Sequence, residues 1–346
     1  MRHGWNSTAY QILNPGIRHW FGPDGSAVVG YVRRHSYLLV AGAPVCANED
    51  LEHTVNTFEA FAEKQQCRVC YVCASGRLHE LLGRTDGHAS IAAGSEPAWV
   101  PRRWPEIIHR HRSLRAQLHR ALNKGVDIVE VAPLDAAADP EFGHVLNRWI
   151  ASRGMPPLHF MVEPEVLRGI VEDRVVFAAR QAGRLVAYLV ASPIGARNGY
   201  LLEELARSPG APNGTSELLI DAAMRRFAAD GCEYVTMGLV ALSGGELSRN
   251  PGWLRALMFF ARAHANRFYN FQGLERFRAK MEPARWEPVY FISNEKRFSL
   301  AALYAIGGAF SGISPVLAIG IGMAKGAREE IRRVARRVVR RTPKRA

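Results

Sequence analysis

The chain has 346 residues, 48% of them hydrophobic, enough for two globular units of ordinary size or one large one. Five cysteines, an odd number with no secretory leader ahead of them, argue against a disulfide framework and for a cytoplasmic protein. The net charge of +13 favours anionic partners such as nucleic acid, phosphorylated cofactors or acidic lipid; residues 325–346 hold +8 of it, leaving +5 for the other 324.

In chain order, 27–33 and 36–41 read as a β-hairpin turning at Arg34-His35. A Gly/Pro/Asn loop follows. Leu51, Val55, Phe58, Phe61 and Ala62 then recur at helical spacing, predicting a helix over 51–66 and a short apolar strand over 68–74. Residues 109–122 predict one helix with a basic face of Arg110, Arg112, Arg115 and Arg120. A strand over 126–131 and a helix over 142–152 come next.

The second half repeats the order of the first. Strands over 175–179, 185–192 and 200–206 lead into the loop "RSPGAPNG", a helix over 216–230 and a strand over 234–239. The repeat is one of pattern, and tandem duplication of an α/β unit is its simplest account. The units are placed at 1–135 and 136–295, with 296–346 as a tail.

That tail opens with 27 uncharged residues, 298–324, long enough to cross a bilayer. Basic residues flank both sides, against a single crossing. The preferred reading is an interfacial helix–turn–helix broken at Gly312–Pro315, followed by an amphipathic basic helix on an anionic membrane. The alternative is a helical pair packed on the domain or on a partner.

The strand-to-helix loop, 207–215, is the leading candidate site. Gly210 and Gly214 let backbone approach a ligand, the first helical N–H groups attract negative charge, and Arg207 adds a forked donor. A capped turn would use the same residues. Glu203 and Glu204 end the strand and point to opposite faces, so only one can serve the site, as a base. Glu204, three residues before Arg207, could pair with it or bind an amine. "CRVCYVC" has the spacing of a metal site but reads as strand, with Cys67 and Cys73 on one face and Cys70 on the other; buried small residues are the better account. His109 and His111 diverge on a helix and read as a basic face.

"FYNFQGLERFRAKMEPARWEPVYF", 268–291, resembles the end of the C-terminal domain of bacterial phosphatidylglycerol lysyltransferases in Phe268, Tyr269, Phe271, Gly273, Leu274, Phe277, Lys280, Pro283, Trp286 and Pro288. "APNGTSELLI" (211–220), "MGLVALSGGE" (237–246) and, more weakly, "SLRAQLHRALNKG" (113–125) are similar to further family segments in the same order. The resemblance implies an α/β fold of two tandem GNAT-like units and aminoacyl transfer from a charged tRNA to a lipid hydroxyl. It implies no metal and no cofactor beyond the donor substrate, aminoacyl-tRNA or acyl-CoA. Helix 109–122 and the 276–280 cluster would meet tRNA phosphates, and 298–346 would meet anionic lipid at the inner face of the membrane.

By this reading Glu204 and Arg207 are catalytic. Asn213, Gly214, Thr215 and Lys280 bind the donor, and Gly238, Ser243, Tyr269 and Trp286 line the substrate pocket. Glu204 stands where the family has Asp, and Ala206 where it has Met. A thioester-dependent acyltransferase and a non-catalytic tRNA- or lipid-binding protein are the alternatives. The first-half loop, 42–47, lacks an Arg207-like donor, so the first unit is expected to be structural.

Overall fold

A computed structural model describes residues 2–84, 86–153, 157–264 and 271–312, without the side chains of 260–264 and 271. Its strands are β1 (Arg18–Phe21), β2 (Val28–Arg34), β3 (Tyr37–Ala41), β4 (Arg68–Ser75), β5 (Ala89–Trp99), β6 (Val126–Val131), β7 (Val175–Gln181), β8 (Arg184–Ile194), β9 (Gly199–Arg207), β10 (Tyr234–Thr236), β11 (Val240–Ala241) and β12 (Arg285–Ser293). They form one mixed sheet in the order β1-β2-β3-β4-β12-β5-β10-β9-β8-β7-β6, with β11 paired to β5.

The duplicated pattern is visible in the pairing. β2 and β3 are antiparallel and β3 and β4 parallel; β8 and β9 are antiparallel and β9 and β10 parallel. Each parallel pair is joined by one crossover helix, Leu51–Lys64 in the first half and Thr215–Ala229 in the second. This is the tandem GNAT-like architecture the sequence implied. No break in the sheet falls at 135/136. β6, from the first segment, pairs with β7, and β12, from the second, runs between β4 and β5.

The two central strands are the ones the sequence hid. β5 is buried along nine consecutive residues, so it shows no alternation, and its Ala, Gly, Ser and Pro content does not read as strand. β12 lay inside the aromatic-basic segment, which splits into a helix over Phe271–Ala279 and the strand.

The core has separate layers on the two faces. Helix Thr215–Ala229 is buried between the sheet and the paired helices Trp104–Arg110 and Arg112–Leu122, through Leu219, Met224 and Phe227. Burial of each such side chain contributes about 2 kcal/mol. Phe227 also stacks on Tyr200, ring centroids 4.2 Å apart. The indoles here are bonded: Trp99 donates to the Met281 carbonyl and Trp104 to Asp221, each at 2.8 Å.

Four expectations are corrected. The helix predicted over 109–122 is two helices, broken at His111, whose ψ of 91° is extended. Arg115 explains the break, since its guanidinium donates to the carbonyls of Ile108 and His109 that end the first helix. The strand predicted over 234–239 stops at Thr236, because the chain leaves β9 and re-pairs with β5 at Val240–Ala241. In β4, Cys73 sits at a register shift with φ +61° and packs towards the cluster of Cys70, not the face of Cys67.

The fourth concerns the apolar tail. Helix Leu300–Ser311 is capped by Ser299 and ends at Gly312 in the left-handed region. Ala302, Ala305, Ile306 and Ala309 are buried against the first half of the sheet. This part of the proposed lipid-contacting segment therefore covers protein; the Pro315 break and the basic tail lie outside the described residues. No helix among the described residues is long and apolar enough to cross a membrane.

A buried ion pair fixes β9 in place. Arg174, 4% exposed, donates through Nε to Glu203 at 3.2 Å, and Ser192 hydrogen-bonds the same carboxylate. Removing one partner strands the other charge in the core. Arg174→Met is expected to cost about 3–5 kcal/mol in urea unfolding. Arg174→Met combined with Glu203→Leu should recover most of that loss.

Candidate functional site

The site is built where β9 and β10 part. Their parallel pairing covers only Gly199–Leu201 against Tyr234–Thr236. Beyond it the β9 edge facing β10 is open from Leu202 to Arg207. A bulge sharpens the divergence, because Val190 faces Glu204 while the next residue, Ala191, faces Leu202. Glu203 is the extra residue, and it takes the structural pair with Arg174.

Glu204 falls on the face of Tyr188, Val190 and Ala206. It is 6% exposed, and Tyr188 donates to its Oε1 at 3.0 Å. Its Oε2 is buried with no hydrogen-bond partner. Burial pushes this carboxyl up to about 8, aided by the nearby Glu203 charge and opposed by the Tyr188 hydrogen bond and Arg174. Such a group is largely protonated at neutral pH and can pass a proton in either direction.

Arg207 lies on the opposite face, across from Ala187, so it does not pair with Glu204. Residues three apart on a strand face opposite ways, and the bulge lies before both. Arg207 is half-buried and has no hydrogen bond or ion pair among the described residues. The open β9 edge is thus flanked by a largely neutral acid on one face and, on the other, by a guanidinium that has no partner among the described residues.

The loop after β9 closes on itself. Ser208 N–H donates to the Val186 carbonyl at 2.9 Å, and Thr215 Oγ1, fully buried, donates to the Pro212 carbonyl at 2.7 Å. Asn213 is exposed. Gly214, at φ +95°, precedes the helix, and a Cβ there would overlap the Gln117 carbonyl oxygen. Helix Arg112–Leu122 therefore packs closely against the residue that precedes this helix.

Lys280 joins this end of the site, with Nζ 3.4 Å from Glu217 in the first turn of the helix. Arg278 donates to the Gly238 carbonyl at 2.8 Å, and Gly238 N–H donates to Thr236 Oγ1 at 3.0 Å. Lys280 and Gly238 are thus brought towards the β9/β10 fork. Ser243 is not: its Oγ donates to the Val240 carbonyl at 2.7 Å and lies 2.9 Å from Ser95 Oγ, inside the β5/β11 junction. Trp286 lies opposite Pro97 on β12, and no hydrogen bond or ring contact links it to Glu204, Arg207 or Lys280. Tyr269 lies outside the described residues.

Sequence reasoning missed Tyr188 and Gln117, and read Arg278 only as part of the 276–280 basic cluster, not as a donor to the Gly238 carbonyl. Tyr188 was accessible in principle: a β8/β9 hairpin register places it diagonal to Glu204. Gln117 acts through its main chain, and no side-chain pattern announces that.

Among the described residues no group of three or more His, Cys, Asp or Glu side chains is placed to hold a metal. Cys70 and Cys73 are held up as thiols by burial, Cys73 to about 12.

A duplicated GNAT-like sheet with a forked parallel pair, an acid and an arginine at the fork defines the class of acyl-transfer folds. Within that class, the chain belongs to the family described as "Phosphatidylglycerol lysyltransferase, C-terminal", whose model matches residues 1–293. The phosphatidylglycerol lysyltransferase of Staphylococcus epidermidis is 22% identical over 303 residues, 86% of this chain and 35% of that protein. The lysylphosphatidylglycerol biosynthesis bifunctional protein LysX of Nocardia farcinica is 24% identical over 297 residues, 80% of this chain and 25% of that protein. The chain therefore spans about a third or a quarter of the length of these relatives. The solved structure of L-PGS from Bacillus licheniformis shares the fold with a TM-score of 0.71 at 18% identity, covering 94% of both chains. A C-terminal DUF2156 domain from Agrobacterium fabrum does so with a TM-score of 0.74 at 21% identity, covering 90% of this chain and 94% of that one.

The raised Glu204 pKa gives stability a sign. Between about 4.3, the unfolded value, and 8 the folded state holds a proton that the unfolded state has lost. Stability contributed by this group is full below that window and falls as pH rises through it. Glu204→Gln should remove this fall and be more stable than wild type at pH 8 by about 2–4 kcal/mol, read from urea midpoints at pH 5 and pH 8.

Proposed function

We propose that the chain transfers an aminoacyl group, lysyl in the first instance, from aminoacyl-tRNA to a hydroxyl of phosphatidylglycerol at the inner face of the membrane. Family membership supports the reaction class and the acceptor, since its named relatives are phosphatidylglycerol lysyltransferases. The observation that carries the site is the open β9 edge with Glu204 on one face and Arg207 on the other. The acceptor hydroxyl attacks the aminoacyl ester carbonyl, and its proton passes to Glu204. The ester bond to the ribose breaks, and Glu204 returns the proton to the departing ribose oxygen. Arg207 stabilises the oxyanion or a donor phosphate. This transesterification needs no metal or cofactor.

Gln117 bears on the choice of donor. A thioester carrier with a pyrophosphate would need the N–H groups of the helix starting at Thr215 free for an anion. The Gln117 carbonyl oxygen packs against Gly214, which narrows the approach to that helix end from the side of helix Arg112–Leu122. This favours a donor gripped elsewhere. The basic residues of helix Arg112–Leu122 and of the Arg276–Lys280 segment supply a basic rim for tRNA phosphates.

The test uses vesicles containing phosphatidylglycerol, charged tRNA and radiolabelled amino acid. Labelled lipid should form, and ribonuclease pretreatment should abolish it. The rate should rise with pH to a plateau above about 8, the pH range in which Glu204 ionises. Arg207→Ala should lower kcat/KM by about a hundredfold or more. Ribonuclease-insensitive transfer from an acyl thioester would refute the donor; full activity of Arg207→Ala would refute the site.

A further inference from the structure

Helix Gly252–His264 departs from the pattern of a surface helix, which keeps its charged residues opposite its buried stripe. Its inner side is Leu254 and Met258, packed on the core of the first half of the sheet. Its outer side is apolar as well. Trp253, Ala256 and Phe259, spaced by one helical turn, face solvent, with Leu257 beside Trp253. Trp253 is 44% exposed, Leu257 47% and Phe259 77%. Arg255 is the only charged residue in 252–259.

Helix Leu300–Ser311 packs on the same core cluster through Ala302, Ala305 and Ile306, so the two helices cover one face of the sheet. Its outer side carries Leu300, 66% exposed, with Ala301 and Tyr304. Single exposed apolar residues need no explanation. Large aromatic and aliphatic side chains gathered on the outside of two helices of one face mark a contact surface.

Charge identifies what makes the contact. Neither helix has an Asp or Glu. Cations stand at the margin instead. Lys296 and Arg297, both exposed, lead into helix Leu300–Ser311. The Tyr304 ring lies 5.5 Å from that of His35, in the turn that also carries the exposed Arg33 and Arg34. Glu295, next to Lys296, is taken by Arg68. A second copy meeting this face across a two-fold axis would bring the cations together, with no acid on either helix to balance them. An anionic bilayer balances them, and its interface suits the amphipathic rings of Trp and Tyr.

We propose that this face docks on the bilayer surface, with Trp253, Leu257, Phe259 and Leu300 entering the headgroup layer and Lys296 and Arg297 resting on its negative charge. The inference rests on the membrane location proposed above and adds the surface that makes the contact. The next described helix, Phe271–Ala279, carries Arg278, which bonds the Gly238 carbonyl. The docking helix is thus followed in the chain by one that reaches the β9/β10 fork.

Binding of the full chain to vesicles of phosphatidylcholine and phosphatidylserine tests it. These hold no phosphatidylglycerol and no donor is added, so neither capture of the acceptor nor transfer enters the measurement. Trp253→Ser combined with Phe259→Ser should weaken binding by about tenfold or more and leave Tm unchanged, since both side chains are exposed. Lys296→Gln and Arg297→Gln should each weaken it by about fivefold at low salt. Brominated acyl chains should quench the tryptophan fluorescence of the wild type, and Trp253→Phe should bind as well but lose most of that quenching. Undiminished binding by the double serine variant would overturn the proposal and assign the attachment to the basic residues 325–346. Full quenching in Trp253→Phe would also overturn it, as would a solution dimer that the two serines dissociate. A chain that docks on these vesicles but forms no labelled lipid with charged tRNA would refute the transfer reading and leave the docking face standing.

Discussion

Strand β12 holds the molecule together, because it arrives from residue 285 and fills the gap between β4 and β5. Until it does so, β4 and β5 each lack a partner along one edge, and the first half of the core is open beneath them. The sheet therefore cannot close from either half alone. The pairings of β12 span 187 to 223 residues, and loop-closure entropy must be met before those contacts stabilise anything. Buried polar groups then lock the join. Tyr234 on β10 donates to Glu96 on β5 at 3.2 Å, Ser7 donates to the same carboxylate at 2.7 Å, and Arg197 grips Glu287 on β12 while its guanidinium lies 3.5 Å from the Tyr234 ring centroid. One network ties the N-terminal segment, the middle of the chain and its last strand.

The site follows from that rigidity. A parallel pair that splits after three residues leaves main-chain groups without partners, which is tolerable only where water or a ligand can meet them. The bulge at Glu203 directs one carboxylate into the Arg174 pair and leaves the next, Glu204, in an apolar layer with a single hydrogen bond. Two adjacent glutamates thus receive opposite electrostatic treatment. Glu203 is held by a buried cation that keeps the strand in place. Glu204 is starved of compensation, which is the condition that raises a carboxyl towards neutral pH.

The duplication was legible because it is a matter of period and punctuation: hairpin, Gly/Pro loop, amphipathic helix, strand. The forked site was legible to the extent that it lay on that pattern. Arg207, Gly214 and Lys280 lie near the β9/β10 fork, and Glu204 lies on the same strand. What escaped depended on tertiary context. β5 is buried on both faces and so carries no alternation, and helix 109–122 breaks because Arg115 satisfies carbonyls six and seven residues back. The apolar stretch after Phe298 has the composition of a membrane segment, yet through Gly312 it packs on the sheet. Composition states that a surface must be covered and not what covers it.

The two halves use one geometry in contrary ways. In the second, helix Arg112–Leu122 packs closely against Gly214, just before the helix that follows the fork, and the cations Arg207, Arg278 and Lys280 gather nearby. In the first, Arg77 from the short helix after β4 lines a cavity beside the loop after β3. That fork instead holds this one arginine, half-buried over the Trp5 ring, with no carboxylate paired to it among the described residues.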